Sequence, residues 1–264
     1  MIRQSSIIMT HRMYPKPMTP SALSFLSLVL SFALLLPAFQ MAAAQSSDDS
    51  HTSSEQGWEN LFDGTSTDAW RGYNMDEFPK NGWKIMDGEL VFEPSDRGDW
   101  TSGLDIITKE KYSDFELEME WMVSKGGNSG IFYHILEQPE EAIYWSALEM
   151  QVLDNENHPD ANMGKDGNRK AGSLYDLIPA KPQNTKPHGE WNQVRIISEG
   201  NHVEHWMNGE KVLEFERFTP EWFKMLRNSK FREHNEFGAM REGHIGLQDH
   251  GDLVKYRNIR IRRL

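Results

Sequence analysis

The chain has 264 residues, 28 Lys and Arg against 40 Asp and Glu, and no cysteine. Without cysteine, disulfides, thiol nucleophiles and thiolate metal sites are all excluded. Three of the basic residues and none of the acidic ones lie before residue 45, so the remainder carries a net charge of −15. Such a surface repels polyanions, which argues against nucleic acid as a partner.

In chain order, the first segment reads as an address. Arg3, Arg12 and Lys16 precede an apolar run from Ala22 to Phe39, followed by Met41-Ala-Ala-Ala-Gln. A basic stretch, an apolar stretch and a small-residue site describe a secretory signal peptide, cleaved after Ala44. An uncleaved anchor is the competing reading, and Pro37 and the alanine-rich site favour cleavage. The expectation is an exported, periplasmic protein with residues 1–44 as signal and 45–56 as a disordered, Ser/Asp/Glu-rich leader. A single domain then fills 57–264, with no stable membrane insertion, since no second apolar segment of spanning length follows.

From Trp58 onward short alternating segments are punctuated by glycine. Asp87-Gly88 between two short runs predicts a hairpin, and Asn208-Gly209 predicts a second. Phe115, Leu117, Met119 and Trp121 alternate with Glu116, Glu118 and Glu120, a strand with one core face and one solvated acidic face. Further strands are predicted at 129–136, 147–153, 191–198, 202–207, 211–218, 243–248 and 254–261. Thr219 followed by Pro220 predicts the cap and first residue of one short helix. Residues 154–171 form a long polar insertion, of a length that marks a functional or disordered loop. Many short strands with regular turn signals predict an all-β, two-sheet jelly-roll sandwich.

Seven segments carry a family resemblance: Asn60-Leu-Phe-Asp-Gly-Thr, Gly127-Asn-Ser-Gly-Ile-Phe-Tyr, Glu149-Met-Gln-Val-Leu-Asp-Asn, Ala171-Gly-Ser-Leu-Tyr-Asp-Leu, Gly189-Glu-Trp-Asn, Val203-Glu-His-Trp-Met-Asn-Gly and Gly243-His-Ile-Gly-Leu-Gln-Asp-His-Gly. In this order they resemble the 3-keto-disaccharide hydrolase family, from about Trp58 to Leu264. The resemblance implies a concanavalin-A-like jelly roll (the glucanase-like sandwich) and a small carbohydrate substrate already oxidised to a ketone at C3. Such a ketone acidifies the C2 proton, so a base forms an enediolate that expels the C1 substituent. Water addition then completes a net hydrolysis. The chemistry needs a general base, a stabiliser for the enolate oxygen and an acid for the leaving group.

Strand parity nominates the residues. Apolar alternates take the core, which places Glu149 and Gln151 on the opposite face, with His244 and Gln248, and with His250 if that strand stays regular. The same argument, with Ile131 and Ile135 as core, turns His134 outward. It also turns Glu204 and Trp206 outward and leaves His205 open. If these strands share one sheet, Glu149, His134, Gln248, His250, Glu204 and His205 are the catalytic candidates. Gln151, Trp206 and His244 are then substrate-binding candidates. Asp154 and His158, at the start of the polar insertion, and Lys170 and Tyr175 near its end, are expected to border the site. Oxygen donors in the insertion raise the possibility of a divalent metal ion, although their spacing does not fit an EF-hand loop. A carbohydrate-binding module without catalysis, and a conventional glycoside hydrolase using Glu149 and Glu204 as its carboxylate pair, are the alternative readings.

Overall fold

The computed structural model describes residues 57–98 and 103–264. Residues 1–56, where a signal peptide and a leader are expected, lie outside the described residues, among which no helix is long and apolar enough to cross a membrane. The strands are β1 (Trp58–Phe62), β2 (Trp70–Gly72), β3 (Trp83–Met86), β4 (Glu89–Phe92), β5 (Ile106–Thr108), β6 (Phe115–Val123), β7 (Asn128–Ile135), β8 (Leu148–Leu153), β9 (Asn192–Glu199), β10 (His202–Met207), β11 (Glu210–Glu216), β12 (His244–Leu247) and β13 (Val254–Arg263). One helix, α1 (Pro220–Arg227), follows β11. Eight strands form one antiparallel sheet in the order β11-β10-β9-β6-β13-β4-β3, with β1 also on β13. The second sheet runs β2-β5-β12-β7-β8. This is the expected jelly-roll sandwich.

Local chemistry sets the boundaries. Asp87 and Gly88 have φ of 52° and 77°, and Asn208 and Gly209 have 49° and 86°. Two consecutive positive φ values match the right-handed twist of the strands they join, which is why these dipeptides close hairpins. Thr219 Oγ1 accepts the Trp222 amide (3.1 Å), capping α1 as predicted. The core lies between the sheets, where Phe115, Leu117, Met119 and Trp121 of β6 face the cluster containing Ile131, Tyr133, Met150 and Val152. Each such side chain contributes about 1.5–3 kcal/mol on burial.

The acidic row of β6 differs from a simple solvated face. Glu116 accepts from Arg262 (2.7 Å), Glu118 from Arg260 (2.7 Å) and Glu120 from Arg257 (2.6 Å). The three arginines recur along β13, the antiparallel neighbour of β6. The row is therefore a cross-strand ion-pair ladder on the outer surface of the eight-stranded sheet, and it belongs to sheet pairing.

Candidate active site

The outer face of the five-stranded sheet carries a cleft of about 340 Å³, lined by Asn128, Tyr144, Trp145, Glu149, Gln151, Tyr175, Lys230, Gln248 and His250. Adjacent strands build its floor. β7 supplies Asn128, β8 supplies Glu149 and Gln151, and the end of β12 leads into Gln248 and His250. Gly130 pairs with Gln151 across β7 and β8. A Cβ on Gly130 would come within 2.4 Å of Glu149 Oε1, so the missing side chain is what lets the carboxyl lie across the strand.

Glu149 is 7% exposed. Burial pushes its carboxyl up to about 8; Lys230 opposes the shift, and the negative charges of Asp105 and Asp160 add to it. It is thus a protonated acid at neutral pH. His250 shifts the other way: its ring, 45% exposed, is partly covered, and that partial loss of water lowers its pKa, which Asp252 and other acidic neighbours only partly offset. Its imidazole is neutral at the same pH. Gln248 Oε1 is buried without a hydrogen-bond partner among the described residues, an acceptor left open at the floor of the cleft.

The opposite wall is aromatic. The Trp145 ring stacks on His234 at 3.7 Å and 6°, and Tyr144 packs edge-on at 4.8 Å. Tyr175 donates its hydroxyl proton to Asp160 (2.9 Å), and Lys230 Nζ sits 4.2 Å from the Tyr175 ring centroid. Amides on one side and ring faces on the other suit a pyranose, whose hydroxyls and C–H faces need the two different surfaces. Replacement Trp145→Ala is expected to raise KM about 3–10-fold with kcat within a factor of about three, since one stacking contact is worth about 0.5–1.5 kcal/mol. Steady-state kinetics on a sugar substrate check this.

Residues 57–262 match one family model, the 3-keto-alpha-glucoside-1,2-lyase-like domain. The chain belongs to this family. Over 254 residues it is 44% identical to the 3-keto-disaccharide hydrolase of Bacteroides thetaiotaomicron, across 88% of this chain and 86% of that protein. Among solved structures, a "putative glycosyl hydrolase" of Parabacteroides distasonis superposes with TM-score 0.73 at 28% identity, covering 81% of this chain and 98% of that one. Another protein so described, from the same organism, gives TM-score 0.54 at 26% identity over 79% and 84%.

In this family member the structure gathers Glu149, Gln151, Gln248, His250 and Tyr175 in the cleft. His158 stands beside it, its ring 6.1 Å from that of His250. Other expected positions are corrected. His134 does not turn outward: the β7–β12 register shifts between the pairs His244–Ile135 and Gly246–Phe132, and His134 has φ 52°. This bulge reverses parity, so Ile135 faces out and His134 enters the core, its Nε2 2.8 Å from Ser198 Oγ of the other sheet. His205 is also in the core; its Nδ1–H donates to Gly172 O (3.0 Å), and its Nε2 accepts from the Tyr133 hydroxyl (2.8 Å).

Glu204 and Trp206 lie on β10, in the eight-stranded sheet. There Glu204 accepts from Lys211 (3.1 Å) and from the Trp206 indole (2.6 Å), and Arg195 lies 4.3 Å from the Trp206 ring centroid. The Glu149/Glu204 pair is accordingly divided between two sheets and is no conventional glycosidase pair. His244 keeps its expected parity but sits at the far end of β12, where Nδ1–H donates to Thr108 O (2.7 Å). Asp154 fastens the polar insertion by accepting from Gly126 N and Asn157 Nδ2, both at 2.7 Å. Lys170 borders a different depression, with Met163 and Lys181.

Buried neutral histidines make stability pH-dependent. Burial lowers His205 to about 4, against 6.5 unperturbed. The unfolded chain therefore binds the extra proton between those values, so stability is complete above pH 6.5 and falls as pH drops toward 4. Urea denaturation at pH 7 and pH 4.5 is expected to show a loss of up to about 3 kcal/mol from this residue, smaller in His205→Gln.

Ligand atoms of His158, His250 and Asp252 come within 4.8 Å of one another. His158 Nδ1, however, accepts the Asp160 amide (3.1 Å), which leaves the proton on Nε2. With one nitrogen occupied and the other protonated, the ring offers no lone pair to an ion, and the cluster does not fit a metal. In a second group, His202, Glu204 and Glu214, the Lys211 ammonium already bridges both carboxylates, at 3.1 and 2.6 Å.

Four residues lining the cleft, Asn128, Tyr144, Trp145 and Lys230, are absent from the predicted set. Asn128 lies in the Gly127-Asn-Ser-Gly segment and has the same strand parity as Gly130 and Phe132 on β7. Lys230 and Trp145 come from short 3-10 turns, Lys230–Glu233 and Ile143–Trp145, which have no sequence periodicity to betray them. Asp105, just before β5, is also absent from that set. Burial raises it to about 7, and its Oδ1 accepts the Asp249 amide (2.8 Å).

Proposed function

We propose that the protein is an exported glycoside-cleaving hydrolase that acts on 3-keto disaccharides by elimination across C1–C2 followed by hydration. The coarser part, a glycoside-cleaving hydrolase, rests on the 44% identity to the Bacteroides enzyme. The N-terminal address pattern supports export. One observation carries the mechanism: a single cleft holds a carboxyl kept protonated beside an imidazole kept neutral. Environments that push two groups apart in this way assign the acid and the base.

His250 removes the C2 proton, and the electron pair passes to the C3 oxygen as an enediolate. Collapse of the enediolate restores the C3 ketone, forms the C1–C2 double bond and breaks the C1–O bond. Glu149 gives its proton to the departing oxygen. Water then adds at C1 while the C2 carbon recovers a proton from His250 and Glu149 takes one from the water. The sum is hydrolysis, with both groups returned to their starting states. Gln248 Oε1 and the amides of the floor bind sugar hydroxyls, and the Trp145 side receives the ring faces.

The test is to incubate the protein with a disaccharide and with its 3-keto derivative in D2O, following released sugar and deuterium at C2. Turnover of the keto-sugar alone, with deuterium entering C2, is expected. Release without C2 exchange, or equal turnover of the ordinary disaccharide, would sink the elimination.

A further inference from the structure

A keto-sugar differs from its parent disaccharide at one position, where C3 bears a carbonyl oxygen in place of a hydrogen and a hydroxyl. In an elimination across C1–C2 that oxygen takes the electron pair of the C2–H bond and becomes an oxyanion. A site that selects and activates such a substrate needs a donor at this oxygen. A charged donor bonds an oxyanion roughly twice as strongly as a neutral one.

Of the nine residues lining the cleft, Lys230 alone carries a positive charge at neutral pH. The Tyr175 hydroxyl is committed to Asp160 (2.9 Å), and Asn128, Gln151 and Gln248 offer only neutral amides. Lys230 is also free to act. Among the described residues its ammonium pairs with no carboxylate; Asp176, Glu149 and Asp160 act on it only through space. Two of those charges are taken up by Arg169, which donates to Asp160 (2.8 Å) and to Asp176 (2.5 Å).

What holds the ammonium is aromatic. Nζ lies 4.2 Å from the Tyr175 ring centroid and 5.0 Å from that of Phe231. Ring faces attract a cation without accepting its hydrogen bonds as an oxygen would, so the three N–H groups stay available to a ligand. The turn that carries Lys230 is itself fixed: Ser229 Oγ accepts the Phe231 amide (3.1 Å), and the Phe231 ring, 3% exposed, stacks on Phe237 at 3.7 Å. The residue is open to water at the rim, where an ammonium keeps its charge. A fixed, charged donor with no protein oxygen to satisfy it is the arrangement that stabilises developing negative charge without rearranging first.

We propose that Lys230 reads the ketone: its ammonium donates to the C3 oxygen of the bound keto-sugar and holds the charge that this oxygen acquires when the C2 proton leaves. Lys230 forms no bond to carbon and gives up no proton. The electron pair of the C2–H bond passes to the C3 oxygen, and it returns to restore the ketone as the C1–O bond breaks. A C3 hydroxyl in the parent sugar gains only an ordinary hydrogen bond from the same ammonium, so the residue discriminates most strongly where charge develops. The inference rests on the keto-disaccharide reading of the cleft and is independent of which group takes the C2 proton.

The test compares wild type, Lys230→Met and Lys230→Arg. Calorimetry measures binding of the parent disaccharide and of the keto-sugar; turnover and deuterium exchange at C2 are followed in D2O. Lys230→Met is expected to bind the parent within about threefold of wild type, and to lose about 10²–10³-fold in kcat with C2 exchange slowed in step. Lys230→Arg, which keeps the charge but cannot form an imine with the ketone, should recover at least about tenfold of that loss. Turnover and exchange within about threefold of wild type in Lys230→Met would overturn the proposal. So would a loss of parent affinity as large as the loss in kcat, which would make Lys230 a general sugar contact. A wild type that binds the keto-sugar without turnover or exchange would discard the elimination. A preference for ketone over parent that vanishes in Lys230→Met would then still place Lys230 on the C3 oxygen, and no preference in the wild type would remove it.

Discussion

Glu149→Gln is expected to lose about 10²–10⁴-fold in kcat on a keto-disaccharide, the usual contribution of a positioned general acid. The same variant should turn over a 4-nitrophenyl 3-keto-glucoside within about tenfold of wild type, because nitrophenolate leaves without a proton. Deuterium exchange at C2 should persist, since His250 is untouched. Stability should move in the opposite direction to activity. The carboxyl is held up at about 8 against an ordinary 4.5, so ionisation in the folded state is penalised and the penalty is complete above pH 8. A glutamine carries no such cost, and its amide still fills the space above Gly130. Thermal unfolding at pH 8.5 is expected to show Glu149→Gln more stable by roughly 1–3 kcal/mol, an advantage that disappears below pH 4.5. Equal loss on both leaving groups would remove Glu149 from the acid role.

The fold was legible because hairpin turns and strand alternation are local. Asp87-Gly88, Asn208-Gly209 and the Thr219-Pro220 cap appear as expected. So does the Phe115–Trp121 alternation, whose apolar members fill the core. The site was legible only where parity held unbroken along a strand of the right sheet. Glu149 and Gln151 satisfied that condition, as did Gln248. His134 failed it through one bulged residue, which flips every side chain beyond it to the other face. Glu204 and Trp206 faced outward as expected, yet on the wrong sheet, because parity assigns a face and says nothing of which sheet a strand joins. Lys230 and Trp145 reach the cleft from turns between elements, so only the tertiary path of the chain brings them there. Asn128 is of the same kind: it is an ordinary polar residue until adjacent strands bring it 3.3 Å from both His250 Nε2 and the Gln151 amide.

His250 carries the complementary expectation. His250→Asn should lose about 10²–10⁴-fold on the disaccharide and equally on the nitrophenyl glycoside, because the C2 proton must be removed whatever leaves. Deuterium exchange at C2 should stop, which separates this variant from Glu149→Gln in a single experiment. The pH dependence follows from the same pair. Activity requires His250 bare and Glu149 protonated, so kcat/KM should rise with pH through the lowered pKa of His250, below 6.5. It should fall again through about 8 as Glu149 ionises. With the nitrophenyl substrate the alkaline limb should flatten while the acid limb stays, since only the base is then needed. Near-identical losses are expected for the two variants on the natural leaving group, and a double variant should be scarcely worse than either, because groups acting in one proton cycle do not contribute additively. Additive losses would mean that the two groups serve separate steps, and that reading would return Glu149 and His250 to independent binding roles.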